Sequence, residues 1–403
     1  MFENCIGQQH VITRLSQDII NSTLPSSLLF YGSQYSGKLT TALELSRILT
    51  CKEKGEWACP CPECEKQRLL IHPQAVMLGK RYFIQEITAC GEVFRQHQKT
   101  FAQYMFIRSV RKLTRRFDPD FLDESAKSNA FIQKAQALEE MIEGISPSNG
   151  IPDSDKIEKL IQKITSESKK LADSMPESGI TVDQIRRLSF WAHTTGTSER
   201  KVIILENADL LLESSRNALL KILEEPPENV YFILLSERKS SLIPTILSRV
   251  RPYTFLQRDE KSSSDVLKKI FREESGEYKT LQEYFLASGD IDPVHLHNVT
   301  DNFIAMVFAE GCYNDEVYSV IDEISSASRD VESGICYLEE LLRQLQIVMR
   351  EKTEEKNTEP LFIKKIHLCF DLIHHWKRNI MLLNMKPQNS VEAALYKMLE
   401  VLH

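Results

Sequence analysis

The stretch that most constrains this chain runs from residue 26 to residue 51. SSLLFYG (26–32) is a short apolar strand that closes on glycine. Gly32-Ser33-Gln34-Tyr35-Ser36-Gly37-Lys38-Leu39-Thr40 is a glycine-bearing loop, and TTALELSRILTC (40–51) is helical. Gly32, Gly37 and Lys38 match the G-x-x-x-x-G-K pattern, in which backbone N–H groups and a helix amino end cradle phosphates. Such a loop needs buried parallel strands behind it. Two later apolar runs supply them: Val202-Ile203-Ile204-Leu205 and NVYFILLS (229–236). Helical patterns separate these runs. Val11, Leu15 and Ile19 mark one; 180–192 is another, with Thr181 as its N-cap; 214–225 is a third, stopped by Pro226-Pro227. The pattern predicts an α/β domain with a parallel sheet and flanking helices.

Residues 80–178 interrupt that pattern. Between 80 and 116 stand nine cations (Lys80, Arg81, Arg95, Lys99, Arg108, Arg111, Lys112, Arg115, Arg116) and two acids, Glu86 and Glu92. On a helix, Arg108, Arg111, Lys112 and Arg115 share one face. That face suits DNA phosphates, or a solvated surface, or a contact with the acidic segment that follows. Phe131, Ala135, Leu138 and Ile142, then Ile157, Leu160, Ile161 and Ile164, recur at helical spacing around the turn-rich SPSNGIPDS (146–154). This predicts a helical hairpin that projects from the domain. After about residue 255 the chain reads as helical throughout.

The 403 residues suffice for two to four domains. The net charge of −7 repels nucleic acid overall, so any DNA must meet a local surface and be held by its backbone. No apolar run is long enough to span a bilayer, and MFENCIGQQH does not resemble a secretory signal; the expectation is a cytoplasmic protein with no membrane partner. Nine cysteines suit a reducing compartment. Cys5, Cys90, Cys312, Cys336 and Cys369 are scattered, as small buried side chains are. Cys51, Cys59, Cys61 and Cys64 cluster as C-x7-C-x-C-x2-C. Four thiolates suit a closed structural Zn²⁺ site, although Pro60 alone separates the middle pair; the alternative is a loop of reduced thiols.

The phosphate loop departs from a working site. After Lys38 a Ser or Thr should hold Mg²⁺, but Leu39 stands there, and Thr40 follows one position late. After Val202–Leu205 an acidic pair should hold the metal and polarise water. The chain offers Glu206, then Asn207, which cannot act as a general base. The phosphate-cradling half survives in Gly32, Gly37 and Lys38, so ATP or ADP is an optional ligand, not a required one.

Several segments together resemble the clamp-loader branch of the AAA+ family that serves bacterial DNA polymerase III. They are Ile6-Gly7-Gln8-Gln9, the loop at 32–40, Cys51 to Cys64 followed by Ile71-His72-Pro73, Ile180 to Arg186, and the most specific, Asn217-Ala218-Leu219-Leu220-Lys221-Ile222-Leu223-Glu224-Glu225-Pro226-Pro227. Thr245-Ile246-Leu247-Ser248-Arg249 is similar to the family's Ser-Arg-Cys motif, with Val250 in place of the cysteine. Asn384-Met385-Lys386-Pro387 with Glu392 is similar to its last helices. The segment 80–178 has no counterpart in it.

The resemblance implies an AAA+ domain over 1–178 and 179–254, carrying a zinc module (51–64) and the helical insertion (80–178). A helical lid (255–298) and an oligomerisation collar (299–403) would follow. It implies a hetero-oligomer with gamma/tau and delta subunits that loads a sliding clamp on primed DNA. Arg249 would enter a neighbour's ATP site as an arginine finger; the plainer role is a surface arginine paired with a carboxylate. Around Ala287-Ser288-Gly289-Asp290 no sensor arginine appears. Leu39, Glu206 and Asn207 favour a subunit that hydrolyses little or no ATP over an ATP-hydrolysing gamma/tau-type subunit. A stand-alone zinc-stapled DNA-binding protein is the third alternative.

Overall fold

A computed structural model describes residues 1–81, 83–123, 125–175, 179–194, 200–289, 291–308, 315–354, 360–383 and 385–402. Asp290, Cys312 and Asn384, named above, lie outside the described residues. The chain divides into two compact units, 1–289 and 290–403.

In the first unit α1 (Gln9–Ile20) leads to β1 (Ser27–Gly32), α2 (Lys38–Thr50), α3 (Pro62–Arg68) and β2 (Ala75–Leu78). Then come α4 (Ile84–His97), α5 (Thr100–Thr114), α6 (Ala126–Glu143), α7 (Ser154–Asp173) and α8 (Val182–His193). The α/β pattern resumes with β3 (Lys201–Leu205), α9 (Glu213–Glu224), β4 (Val230–Ser236), α10 (Pro244–Leu247) and β5 (Arg251–Phe255). It closes with α11 (Glu260–Val266) and α12 (Leu281–Ala287). The second unit holds α13 (Pro293–Val307), α14 (Asp315–Ala327), α15 (Val331–Glu354), α16 (Pro360–Leu383) and α17 (Pro387–Leu402).

The strands form one sheet in the order β2-β3-β4-β1-β5, every pair parallel. Successive residues of a strand face opposite sides, and the cores follow that rule. Leu28, Phe30, Val202, Ile204, Ile233 and Leu235 meet Val11 and Leu15 of α1 and Leu39, Ala42 and Leu45 of α2. Leu29, Ile203, Leu205, Phe232 and Leu234 meet Ile185 and Leu188 of α8 and Leu219 and Ile222 of α9. Thr181 caps α8 through a reciprocal box with Gln184, and α9 ends at Glu224, directly before Glu225-Pro226. β5 went unread in the sequence; it lies at the sheet edge, where Pro252 is tolerated.

The opening phrase has a mechanical role. Gln8 donates its side-chain N–H to Leu256 O (2.7 Å) and accepts from Leu256 N (3.1 Å), so the amino-terminal segment straps the end of β5.

The insertion is not the projecting hairpin that periodicity suggested. α6 and α7 do pair, but α7 also packs on α4 and α6 on α5. Their core joins Phe94, Phe106, Val110, Leu138 and Ile164 to Val266, Leu267, Phe271 and Phe285 from α11, α12 and their connection. The apolar stripes of α6 and α7 alone would stay half exposed; α4 and α5, masked in the sequence by their cations, complete the bundle. In the second unit, each of the five helices buries apolar residues: Phe303 of α13, Ile321 of α14, Leu338 and Leu341 of α15, Ile373 of α16, and Val391 and Leu395 of α17. The sequence boundary at 298 falls inside α13, whereas the two units divide after Gly289.

Candidate nucleotide and metal sites

The phosphate loop joins β1 to α2 with Gly37 as the N-cap of α2. Gly32 (φ +151°) and Gly37 (φ +97°) adopt backbone that other residues rarely reach, and a Cβ on Gly32 would lie 2.1 Å from Phe255 O. Lys38 Nζ donates to Gly32 O (2.5 Å) and Ser33 O (2.6 Å), inside its own loop. Leu39 is buried in the core between α1 and the sheet, and Thr40 is exposed.

The loop is held from outside as well. Tyr35 has φ +53°; its ring stacks on Phe285 of α12 (5.4 Å between centroids), and its hydroxyl donates to Gln85 of α4 (3.1 Å). Arg258 donates to Tyr35 O (2.9 Å) and to Ile6 O, and its guanidinium lies against Gly37. No sequence pattern pointed to Arg258.

The carboxylate expected to hold a metal is already engaged. Glu206, at the end of β3, is buried, and Arg116, buried just after α5, donates to its Oε1. Asn207 takes a left-handed turn (φ +51°), which asparagine accepts more readily than most residues, and its Nδ2 donates to Lys80 O (2.7 Å). Both residues therefore tie β3 to the insertion.

That arrangement reassigns the basic run. Arg81 and Lys112 both pair with Glu86; Arg111 pairs with Glu139 and Glu143 of α6; Arg108 donates to Arg68 O. Arg95 pairs with Glu92 and Arg115 with Asp118. Burial raises the Glu86 carboxyl, but Lys112 and Arg81 outweigh it and hold it down at about 2. Of the face shared by Arg108, Arg111, Lys112 and Arg115, for which DNA phosphates, solvent and the acidic segment were all open, Arg111 meets the acidic helix that follows, Lys112 meets Glu86 of the helix before, Arg108 meets a backbone carbonyl, and Arg115 stays partly exposed beside Asp118.

Arg249 follows α10 and is partly exposed. It donates to Glu224 Oε1 of α9 (2.5 Å), Thr245 O (2.7 Å) and Ser248 Oγ (3.2 Å). Glu224 belongs to the NALLKILEEPP phrase, so that phrase and the Ser-Arg segment meet.

Cys51 ends α2, Cys59 and Cys61 flank Pro60, and Cys61 caps α3, which carries Cys64. Their sulfurs all lie within 4.8 Å of one another, with Cys51···Cys59 at 3.6 Å and Cys51···Cys61 at 3.9 Å. A tetrahedron of sulfurs about 2.3 Å from a zinc ion has edges of about 3.8 Å. The four side chains thus fit a tetrahedral metal, and the one-residue spacing does not prevent it. Backbone N–H groups of Glu53 and Cys64 donate to Cys51 and Cys61, as donors do around thiolates.

A five-stranded parallel sheet, flanked by helices, with a phosphate loop after β1 and a carboxylate at the tip of β3, defines an α/β nucleotide-fold protein consistent with an AAA+ clamp-loader architecture. A family model described as DNA polymerase III, delta subunit, matches residues 7–259, and the chain belongs to that family. It is similar to DNA polymerase III subunit delta' of Pseudomonas aeruginosa, 45% identical over 74 residues, 18% of this chain and 23% of that one. Subunit delta' of Haemophilus influenzae is 37% identical over 90 residues, covering 22% and 28%. Subunit gamma/tau of Mycobacterium tuberculosis is 33% identical over 91 residues, covering 23% and 15%. The chain thus matches less than a third of the length of these relatives. Among the described residues no helix is long and apolar enough to cross a membrane.

Proposed function

We propose that the chain is a delta-prime-type, non-hydrolysing subunit of a DNA polymerase III clamp loader. It works in the cytoplasm with gamma/tau and delta subunits to place a sliding clamp on primed DNA, which the assembly meets through the DNA backbone. The observation that carries this reading is the buried Arg116–Glu206 pair. An arginine fixed on the carboxylate at the tip of β3 takes the charge that Mg²⁺ would need. Leu39 in the core and Lys38 turned onto Gly32 and Ser33 support the same conclusion. Nucleotide in the loop of Gly32, Gly37, Lys38 and Thr40 is not required. The four cysteines hold structural zinc. Residues 255–298 serve as a lid and 299–403 as a collar, and the all-helical second unit supports the collar.

In this reading Arg249 acts on a neighbour's γ-phosphate, with Glu224 as its resting partner in the isolated chain. The test is DNA-dependent ATPase of the loader reconstituted with gamma/tau, delta and the clamp. Arg249→Ala is expected to leave assembly intact and to lower turnover at least tenfold, while the isolated chain turns over no ATP. Unchanged turnover would remove the finger, and sustained hydrolysis by the isolated chain that Lys38→Ala abolishes would favour a gamma/tau-type subunit.

A further inference from the structure

The four-cysteine cage is assembled from two segments joined by a short loop. Cys59, Cys61 and Cys64 are close neighbours in sequence, but Cys51 comes from the end of α2, and the loop 52–58 lies between. Short spacing fixes the first three relative to one another. Something else must fix the loop that returns to Cys51.

We infer that Arg47 is the positioning residue that holds this cage in its metal-binding shape; the inference rests on the reading of the cluster as a metal site. Arg47 lies on α2, one turn before Cys51, and is almost fully buried. Its guanidinium has five N–H donors, and each has an acceptor. Nε donates to the Glu44 carboxylate (3.1 Å), and Nη2 to Glu44 Oε1 (2.6 Å) and Gly55 O (3.0 Å). Nη1 donates to Glu56 O (3.0 Å) and Cys64 Sγ (3.0 Å). One planar group therefore grips the middle of the 52–58 loop and a ligand sulfur at once. Gly55 has φ +68°, and a Cβ there would meet Ile48 at 3.0 Å, so the loop lies directly on α2.

The arrangement is a carboxylate–guanidinium–thiolate chain. It does for sulfur what a carboxylate does for a metal-bound histidine: it orients the ligand and tunes how strongly the ligand donates. Four thiolates around a divalent ion carry excess negative charge, and an N–H on one sulfur takes up part of it. Lysine could keep the charge but not the five-fold fan of donors.

The test is anaerobic titration of the metal-free full-length chain with Co²⁺, read by its thiolate-to-metal charge-transfer and d–d bands. The unaltered chain is expected to give a tetrahedral tetrathiolate spectrum. Arg47→Met is expected to bind 10–100-fold more weakly. Its charge-transfer band should move to lower energy, because a sulfur relieved of its donor is more electron-rich; a merely structural arginine would leave that band in place. Arg47→Lys should fall between the two in affinity. If Arg47→Met fails to fold by circular dichroism, Arg47→Lys decides: weakened binding supports the role. A folded Arg47→Met or Arg47→Lys chain with unaltered affinity and spectrum overturns it while leaving the metal reading standing. Absence of cobalt binding by the unaltered chain overturns both.

Discussion

At the scale of single residues, several arginines meet carboxylates inside the protein. Arg116 and Glu206 are the clearest case, with side chains 1% and 9% exposed. Removing one member of a buried ion pair strands the other, which costs about 3–5 kcal/mol, whereas replacing both with apolar groups is often neutral. Arg116→Met is therefore expected to lower the unfolding free energy by about that amount in urea. Adding Glu206→Met should recover most of the loss. If the single variant is as stable as the unaltered chain, the pair is not buried as described. The sequence left DNA phosphates, solvent and the acidic segment all open as partners of Arg108, Arg111 and Lys112, because the partners they have lie elsewhere in the chain: Glu139 and Glu143 are a helix away, Glu86 is on α4, and Arg68 offers only a backbone oxygen. No spacing rule links Arg116 to Glu206 across the whole insertion, whereas the cysteines, close in sequence, could be read directly.

At the scale of elements, local chemistry was legible wherever it was self-contained. The apolar runs gave β1, β3 and β4, Thr181 gave the start of α8, and Pro226 gave the end of α9. β5 was lost because Arg251 and Pro252 disguise a strand whose Tyr253 and Phe255 point inward. Its importance lies in its contact with the phosphate loop: Phe255 pairs with Gly32, and no side chain fits between them. Gly32→Ala is expected to destabilise the first unit by on the order of 3 kcal/mol, through a strained backbone and a displaced strand. Denaturant melts of the full chain would check it; a loss under about 0.5 kcal/mol would mean that the β1–β5 register is softer than drawn.

At the scale of the molecule, three apolar cores are drawn entirely from residues 2–285. A chain of residues 1–289 is therefore expected to fold alone, keeping its helical content and a sharp denaturant transition. A broad transition with dye-binding apolar surface would show instead that the second unit is needed to complete it. The family phrases in 1–78 and 179–403 and their apolar runs made β1, β3 and β4 of the five-stranded sheet legible in the sequence. The insertion resisted reading because its core is shared with residues 266–285, far along the chain.

The parallel sheet also sets an order of events during synthesis. β1 leaves the ribosome about two hundred residues ahead of its neighbours β4 and β5. At roughly 5–20 residues per second, Leu28, Leu29 and Phe30 wait about 10–40 s for their pairing partners. The insertion bundle is translated in that interval, but its core in turn waits for Val266 to Phe285. The nascent chain thus carries an orphaned apolar strand while those two hundred residues are made, the kind of surface that chaperones shield.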